Sequence, residues 1–164
     1  MQINIRKATI NDDKAISAIW KIICEERIYT AVNKPFSPQQ VKDYISSFTQ
    51  REGIFLAVVD DAIIGFQSLD LWAKYTDSFD HVATIGTFVL PEWRNQKVGY
   101  ELAESTFEFA RRNKFEKLII YVRSRNKKAL KFYKNLGFIP KGVLTKQIKI
   151  DGKYEDEIFM ELFL

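Results

Sequence analysis

The chain has 164 residues, 46% of them hydrophobic and 28% charged, with 25 Lys and Arg against 21 Asp and Glu. This length and balance fit one globular domain over residues 1–164 with a substantial core, and exclude fibrous or disordered classes. A single cysteine, Cys24, excludes an internal disulfide, and neither a secretory leader nor a bilayer-length apolar run can be read, so the expected localisation is cytoplasmic with no membrane partner.

The first segment, INIRKAT, alternates as a strand does. Asn11, Asp12 and Asp13 then supply capping side chains for a helix carrying Ala15, Ile16, Ile19, Ile22 and Ile23 at helical spacing, with Cys24 as a small buried hydrophobe. Ser37 as cap and Pro38 at the first helical position open a second helix, with Val41, Tyr44, Ile45 and Phe48 on one face. GIFLAVV and AIIGFQSLDLW flank Asp60-Asp61, a hairpin signal, and VATIGTFVL forms a third strand of this group, ending at Pro91.

The stretch PEWRNQKVGYEL then turns into a third helix, with Val98, Leu102, Ala103, Phe107 and Ala110 on one stripe. KLIIYV reads as a short strand buried on both faces, as in parallel pairing. Asn126 caps a fourth helix bearing Ala129, Leu130, Tyr133 and Leu136, and Gly137 stops it. KQIKI and YEDEIFMEL flank Asp151-Gly152, a stronger hairpin signal than the first. The order predicts an α/β domain: a mixed, mostly antiparallel central sheet with hairpins on both sides of a β-α-β unit, flanked by four helices.

Two features point to a ligand. Arg94, Asn95, Gln96, Lys97 and Val98 lie at or just before a helix N-terminus, where free N–H groups and the helix dipole favour an anion. Gly99 is expected to permit close approach, and Lys97 to take a negative φ within the first helical turn. Asn126 opens the other helix at the end of the neighbouring strand, so two helix starts converge at the carboxyl ends of the strands, where such folds bind ligands. Residues 94–149 hold 15 Lys and Arg against 4 Asp and Glu, whereas the remainder holds 10 against 17. A polyanion suits the first segment and a cation the second, although solvated helix faces account for the charge equally well. No nucleic-acid-binding motif accompanies the basic segment.

These stretches resemble the GCN5-related N-acetyltransferase (GNAT) family. One motif runs through Val89, Pro91, Arg94 and Gly99, with Lys97 where the family has glycine. The other is complete as Asn126, Ala129, Tyr133, Gly137 and Phe138. The resemblance covers nearly the whole chain and implies acetyl-CoA as donor, with no metal. It implies that the amides from Asn95 to Tyr100 hold the pyrophosphate, and that the strand edge at Phe88 and Val89 pairs with pantetheine where two parallel strands splay. Asn126 is then expected near the pantetheine arm and Tyr133 near the sulfur. CoA carries roughly four negative charges, which agrees with the basic segment.

Acetyl transfer needs a neutral amine, a stabilised oxyanion and a proton for the thiolate. The resemblance makes Tyr133 the proton donor and the Val89 N–H an oxyanion donor. For the general base, the strand VATIGTFVL offers no acid; His81 titrates in the useful range, and Glu25, Glu26 and Asp80 are further choices. Trp20, Tyr29, Phe36, Trp72 and Tyr75 serve as acceptor walls, core or the contact of a homodimer. The expected function is N-acetylation of a small primary amine such as an amino acid or polyamine, by direct attack in a ternary complex. The alternatives are a CoA-binding module without catalysis and an acetyltransferase acting on protein N-termini or lysines.

Overall fold

In the computed structural model, which describes residues 2–164, strand β1 (Asn4–Lys7) leads to helices α1 (Asp13–Glu25) and α2 (Pro38–Ser46). Strands β2 (Gly53–Val59), β3 (Ala62–Leu71) and β4 (Val82–Val89) follow, then helix α3 (Val98–Arg112), strand β5 (Lys117–Arg123) and helix α4 (Lys127–Asn135). Strands β6 (Ile139–Ile150) and β7 (Lys153–Phe163) complete the chain. Among the described residues no helix is long and apolar enough to cross a membrane.

Local chemistry sets most of these boundaries. Ser37 accepts from the Gln40 N–H while the Gln40 side chain accepts from the Ser37 N–H, a reciprocal cap with Pro38 in the first turn of α2. Asp60 and Asp61 both take positive φ in the β2–β3 turn, as do Asp151 and Gly152 between β6 and β7. At α1 the expected capping group lies one step inside: Thr9 caps a single 3-10 turn at Ile10–Asp12, and α1 follows from it. Strand β6 extends well before the expected KQIKI, starting at Ile139.

The seven strands form one sheet in the order β1-β2-β3-β4-β5-β7-β6. Every neighbouring pair is antiparallel except β4 and β5. That parallel pair registers only from Val82↔Lys117 to Thr84↔Ile119, although β4 continues to Val89 and β5 to Arg123. The strands therefore part beyond Thr84. β5 was expected to be a buried strand of parallel type; it is parallel to β4 over three residues, antiparallel to β7 along its length, and exposes Tyr121. The sheet has two cores. Leu69, Ala83, Ile85, Leu118, Ile120 and Met160 pack with Leu102 and Phe107 of α3 and Tyr133 of α4 on one face. Leu56 and Phe66 pack with Ile16, Trp20 and Ile23 of α1 and Val41 of α2 on the other.

Candidate active site

The parting of β4 and β5 makes the site. The Leu90 N–H donates to the Ile64 carbonyl and the Trp72 N–H to the Val82 carbonyl, so the even-numbered residues of β4 bond to β3. Alternation along a strand then turns the N–H groups of Thr87 and Val89 toward the split. Phe88 was expected to share this free edge; instead its backbone faces β3, in register with Phe66, and its ring packs on Trp20 and Phe66 beneath the site. The split opens into a cleft of about 600 Å³ lined by β4 from Ile85 to Val89, the loop after it, the start of α4, and residues of β5 and β7.

At one end of the cleft lies the loop into α3. Among the described residues, the N–H groups of Asn95, Gln96, Lys97, Val98 and Gly99 meet no acceptor, whereas the Tyr100 and Glu101 N–H groups both donate to the Lys97 carbonyl. Five consecutive free donors at a helix N-terminus form an anion cradle. The expectation of a negative φ at Lys97 is overturned: Lys97 caps α3 with φ 66° and ψ 0°, and Asn95 has φ 62°. Left-handed backbone at these two positions curls the loop so that its amides converge, which is the work glycine does elsewhere; a lysine there carries strain of about 1–2 kcal/mol. Gly99 serves a different purpose from the one expected. A Cβ there would lie 3.0 Å from the Phe132 ring, so its bareness lets α3 and α4 approach each other rather than admitting a ligand.

Arg94 likewise has a structural task. Its Nη atoms donate to both carboxylate oxygens of Glu26 at 2.7 and 2.6 Å, its Nε donates to the Val89 carbonyl at 3.0 Å, and it lies over the Tyr29 ring. Its charge is therefore spent, and the Glu26 carboxylate holds the guanidinium pKa above its ordinary value. Gln96 folds back to the Glu92 carbonyl. The cations facing the cleft are Lys97 and, from α4, Lys128 and Lys131. The two α4 lysines were missed in the sequence, where they look like solvated helix face. Tyr100 packs edge-on against Phe132 and its hydroxyl accepts from Asn135 at the rim.

Asn126 caps α4, its Oδ1 accepting from the Ala129 N–H at 3.1 Å. This cap points the first turn of α4 into the split and carries Tyr133 two turns along. Tyr133 is buried, and its hydroxyl donates to the Thr87 hydroxyl at 2.9 Å. The fully buried Gln67 donates to the same oxygen at 2.7 Å, fixing Thr87 from beneath. Burial pushes the Tyr133 phenol up from its ordinary pKa, with hydrogen bonds from Thr87 opposing. The phenol is thus a fully protonated donor held beside the free N–H groups of β4.

His81 is not part of this arrangement. It precedes β4, accepts the Glu116 and Lys117 N–H groups on its carbonyl, and lines a shallow surface hollow with Arg51, Asp80 and Arg112. Seven residues of strand separate it from Phe88, about 23 Å. The titration range that recommended His81, and the acidity of Asp80, are therefore at the wrong end of β4 to serve as base. Glu26 is occupied by Arg94. The carboxylate that the fold does bring to the cleft is Glu157 of β7. It reads in the sequence as one acid of an exposed alternating strand, and only the pairing of β7 with β5 places it. Among the described residues no group of three or more His, Cys, Asp or Glu side chains is gathered as a metal site would require.

A split parallel pair, a free-amide cradle at a helix N-terminus and a buried tyrosine beside the open strand edge define the class of CoA-dependent N-acetyltransferases. The chain belongs to the acetyltransferase (GNAT) family, whose model matches residues 17–138. It is 21% identical to YwnH of Bacillus subtilis strain 168, provisionally named a phosphinothricin acetyltransferase, over 93% of each chain. Its fold is similar to that of a ribosomal-protein-alanine N-acetyltransferase from Brucella melitensis, with TM-score 0.91, 21% identity and coverage of 98% of this chain and 99% of that one. It is equally similar to a phosphinothricin acetyltransferase from Sinorhizobium meliloti in complex with acetyl-CoA, with TM-score 0.91, 19% identity and coverage of 100% and 89%.

Proposed function

We propose that the protein transfers the acetyl group of acetyl-CoA to the primary amine of a small molecule, by direct attack within a ternary complex. The observation that carries this reading is the run of five acceptor-free N–H groups from Asn95 to Gly99, opening onto the same cleft as the split edge of β4 and the Tyr133 hydroxyl. Acetyl-CoA, when bound, supplies an activated thioester carbonyl and a thiolate leaving group. The five amides, with the ammonium groups of Lys97, Lys128 and Lys131, hold its phosphates. The Thr87 and Val89 N–H groups offer strand-like hydrogen bonds to its amide-bearing arm, and the Val89 N–H is the donor for negative charge growing on the carbonyl oxygen.

Tyr133 gives its proton to the departing sulfur. Its ordinary pKa near 10, raised by burial, keeps it in the donating form at physiological pH. Thr87, fixed by Gln67, orients the phenol when it is idle and can return a proton path to it. The test is incubation with acetyl-CoA and a panel of primary amines, following thiol release and product mass together. One thiol per N-acetylated amine is expected. Saturable acetyl-CoA binding with no acetylated product from any amine would leave a binding module and contradict the reading.

A further inference from the structure

The two sides of the cleft differ in charge. The side bearing α3 and α4 carries Lys97, Lys128, Lys131 and two helix N-termini. The other side is lined by Tyr29, Thr30 and Ala31 between α1 and α2, by Gly86 of β4, by Tyr121 and Arg123 of β5, and by Glu157 of β7.

On this second side every cation is committed. The Arg94 guanidinium is taken by Glu26 and the Val89 carbonyl. Arg123, only 6% exposed, is taken by Glu155 and by the Arg27 and Thr30 carbonyls at 2.8 and 3.0 Å. Arg27 turns to the Asn33 carbonyl. Three glutamates, Glu155, Glu157 and Glu161, share one face of β7. Arg123 and Arg125 neutralise Glu155; Lys117 and Lys141 neutralise Glu161 at 2.5 and 3.3 Å. Glu157 lies opposite Arg123 in register, yet among the described residues it has no ion pair and no hydrogen bond. Burial raises its carboxyl pKa, with Arg123 opposing and Glu155 reinforcing. Beside it, Tyr121 stacks on Trp72 with centroids 5.8 Å apart and packs on Phe159 at 5.4 Å.

A half-buried carboxylate without a partner is costly, and it is kept where something else supplies the partner. An ammonium group would do so, with the aromatic pair taking the body of the molecule. An acid group next to the amine would meet Glu157 and find no free cation on this side. Resting on the acetyl-transfer reading, we infer that the acceptor is a primary amine with no acid group beside the nitrogen, carried on an aromatic or aliphatic body, and that Glu157 receives its ammonium group and takes a proton from it. The nitrogen gives up two protons as the N–C bond forms and the C–S bond breaks. One leaves through Glu157 to water, and the other restores the proton that Tyr133 has passed to sulfur.

The experiment is calorimetric titration of the protein loaded with CoA, which cannot turn over, with 2-phenylethylamine and with L-phenylalanine, a pair differing only in the carboxylate. The amine is expected to bind about 100-fold more tightly or better. Glu157→Gln is expected to weaken the amine about 10-fold or more with CoA affinity unchanged, and kcat/KM should lose its acid limb. Because burial raises the Glu157 pKa, ionising it disfavours the fold as pH rises, so the glutamine variant keeps or gains thermal stability at pH 7 and remains a fair test. Phenylalanine binding as tightly as the amine, no binding of either, or an unaffected glutamine variant would overturn the inference. Amine binding with these preferences but no acetylated product would strike the transferase reading and leave this one standing.

Discussion

Arg94 and Glu26 meet through two hydrogen bonds of 2.7 and 2.6 Å, fastening the loop after β4 to the residue that follows α1. The pair is roughly three-quarters buried and rests on Tyr29, whose neighbours Thr30 and Ala31 wall the acceptor side. One ion pair therefore sets the position of both the phosphate loop and the acceptor wall. Glu26→Gln keeps the shape and removes the charge. Allowing for solvent at the edge of the pair, KM for acetyl-CoA is expected to rise about 3- to 10-fold, with kcat less affected. Steady-state kinetics with acetyl-CoA as the varied substrate checks this, and an unchanged KM would remove the positioning role.

Lys97→Gly separates two effects. Glycine relieves the left-handed backbone at φ 66°, worth about 1 kcal/mol, which in a chain of this size raises Tm by about 2–4 °C. It also removes a cation beside the cradle, so acetyl-CoA should bind a few-fold more weakly, with a shallower dependence on salt. Calorimetry at two ionic strengths, with a thermal melt, measures both. Tighter acetyl-CoA binding in the glycine variant would mean that the lysine obstructs the site.

Gly99→Ala should act on packing. The added methyl lies 3.0–3.1 Å from two ring carbons of Phe132, so α3 and α4 are pushed apart at a cost of about 1–3 kcal/mol. The expected fall in Tm is about 2–12 °C, partly restored by Phe132→Leu, which makes room. If the double variant is no more stable than Gly99→Ala alone, the contact with Phe132 is not the reason for the glycine.

Much of the architecture was legible because local rules governed it. Ser37-Pro38, Asp60-Asp61, Asp151-Gly152 and Asn126 each act through bonds or dihedrals within a few residues, and each appears where its chemistry required. Strand β6 was cut short because its first nine residues are exposed and show no alternation of burial at all. The motif bearing Asn126, Ala129 and Tyr133 marked the tyrosine, and the structure adds Thr87 and Gln67 as the groups that orient it. What stayed hidden depends on distance in space. That Arg94 spends its charge on a residue 68 positions away, and that Arg123 turns from Glu157 to Glu155, are outcomes of strand pairing. His81 was favoured by its pKa range alone, which says nothing about which end of β4 it occupies.

The most direct test of the account is kcat for Tyr133→Phe with any amine that the wild-type protein acetylates. Removing the phenol leaves the aromatic packing intact and takes one proton donor from the split. The expected fall in kcat is about 100-fold or more, with acetyl-CoA affinity unchanged. Because burial raises the Tyr133 pKa, the wild-type kcat should show no alkaline loss from this group below about pH 10. A phenylalanine variant within about twofold of wild-type kcat, under conditions where chemistry limits turnover, would contradict Tyr133 as the acid and with it the central claim.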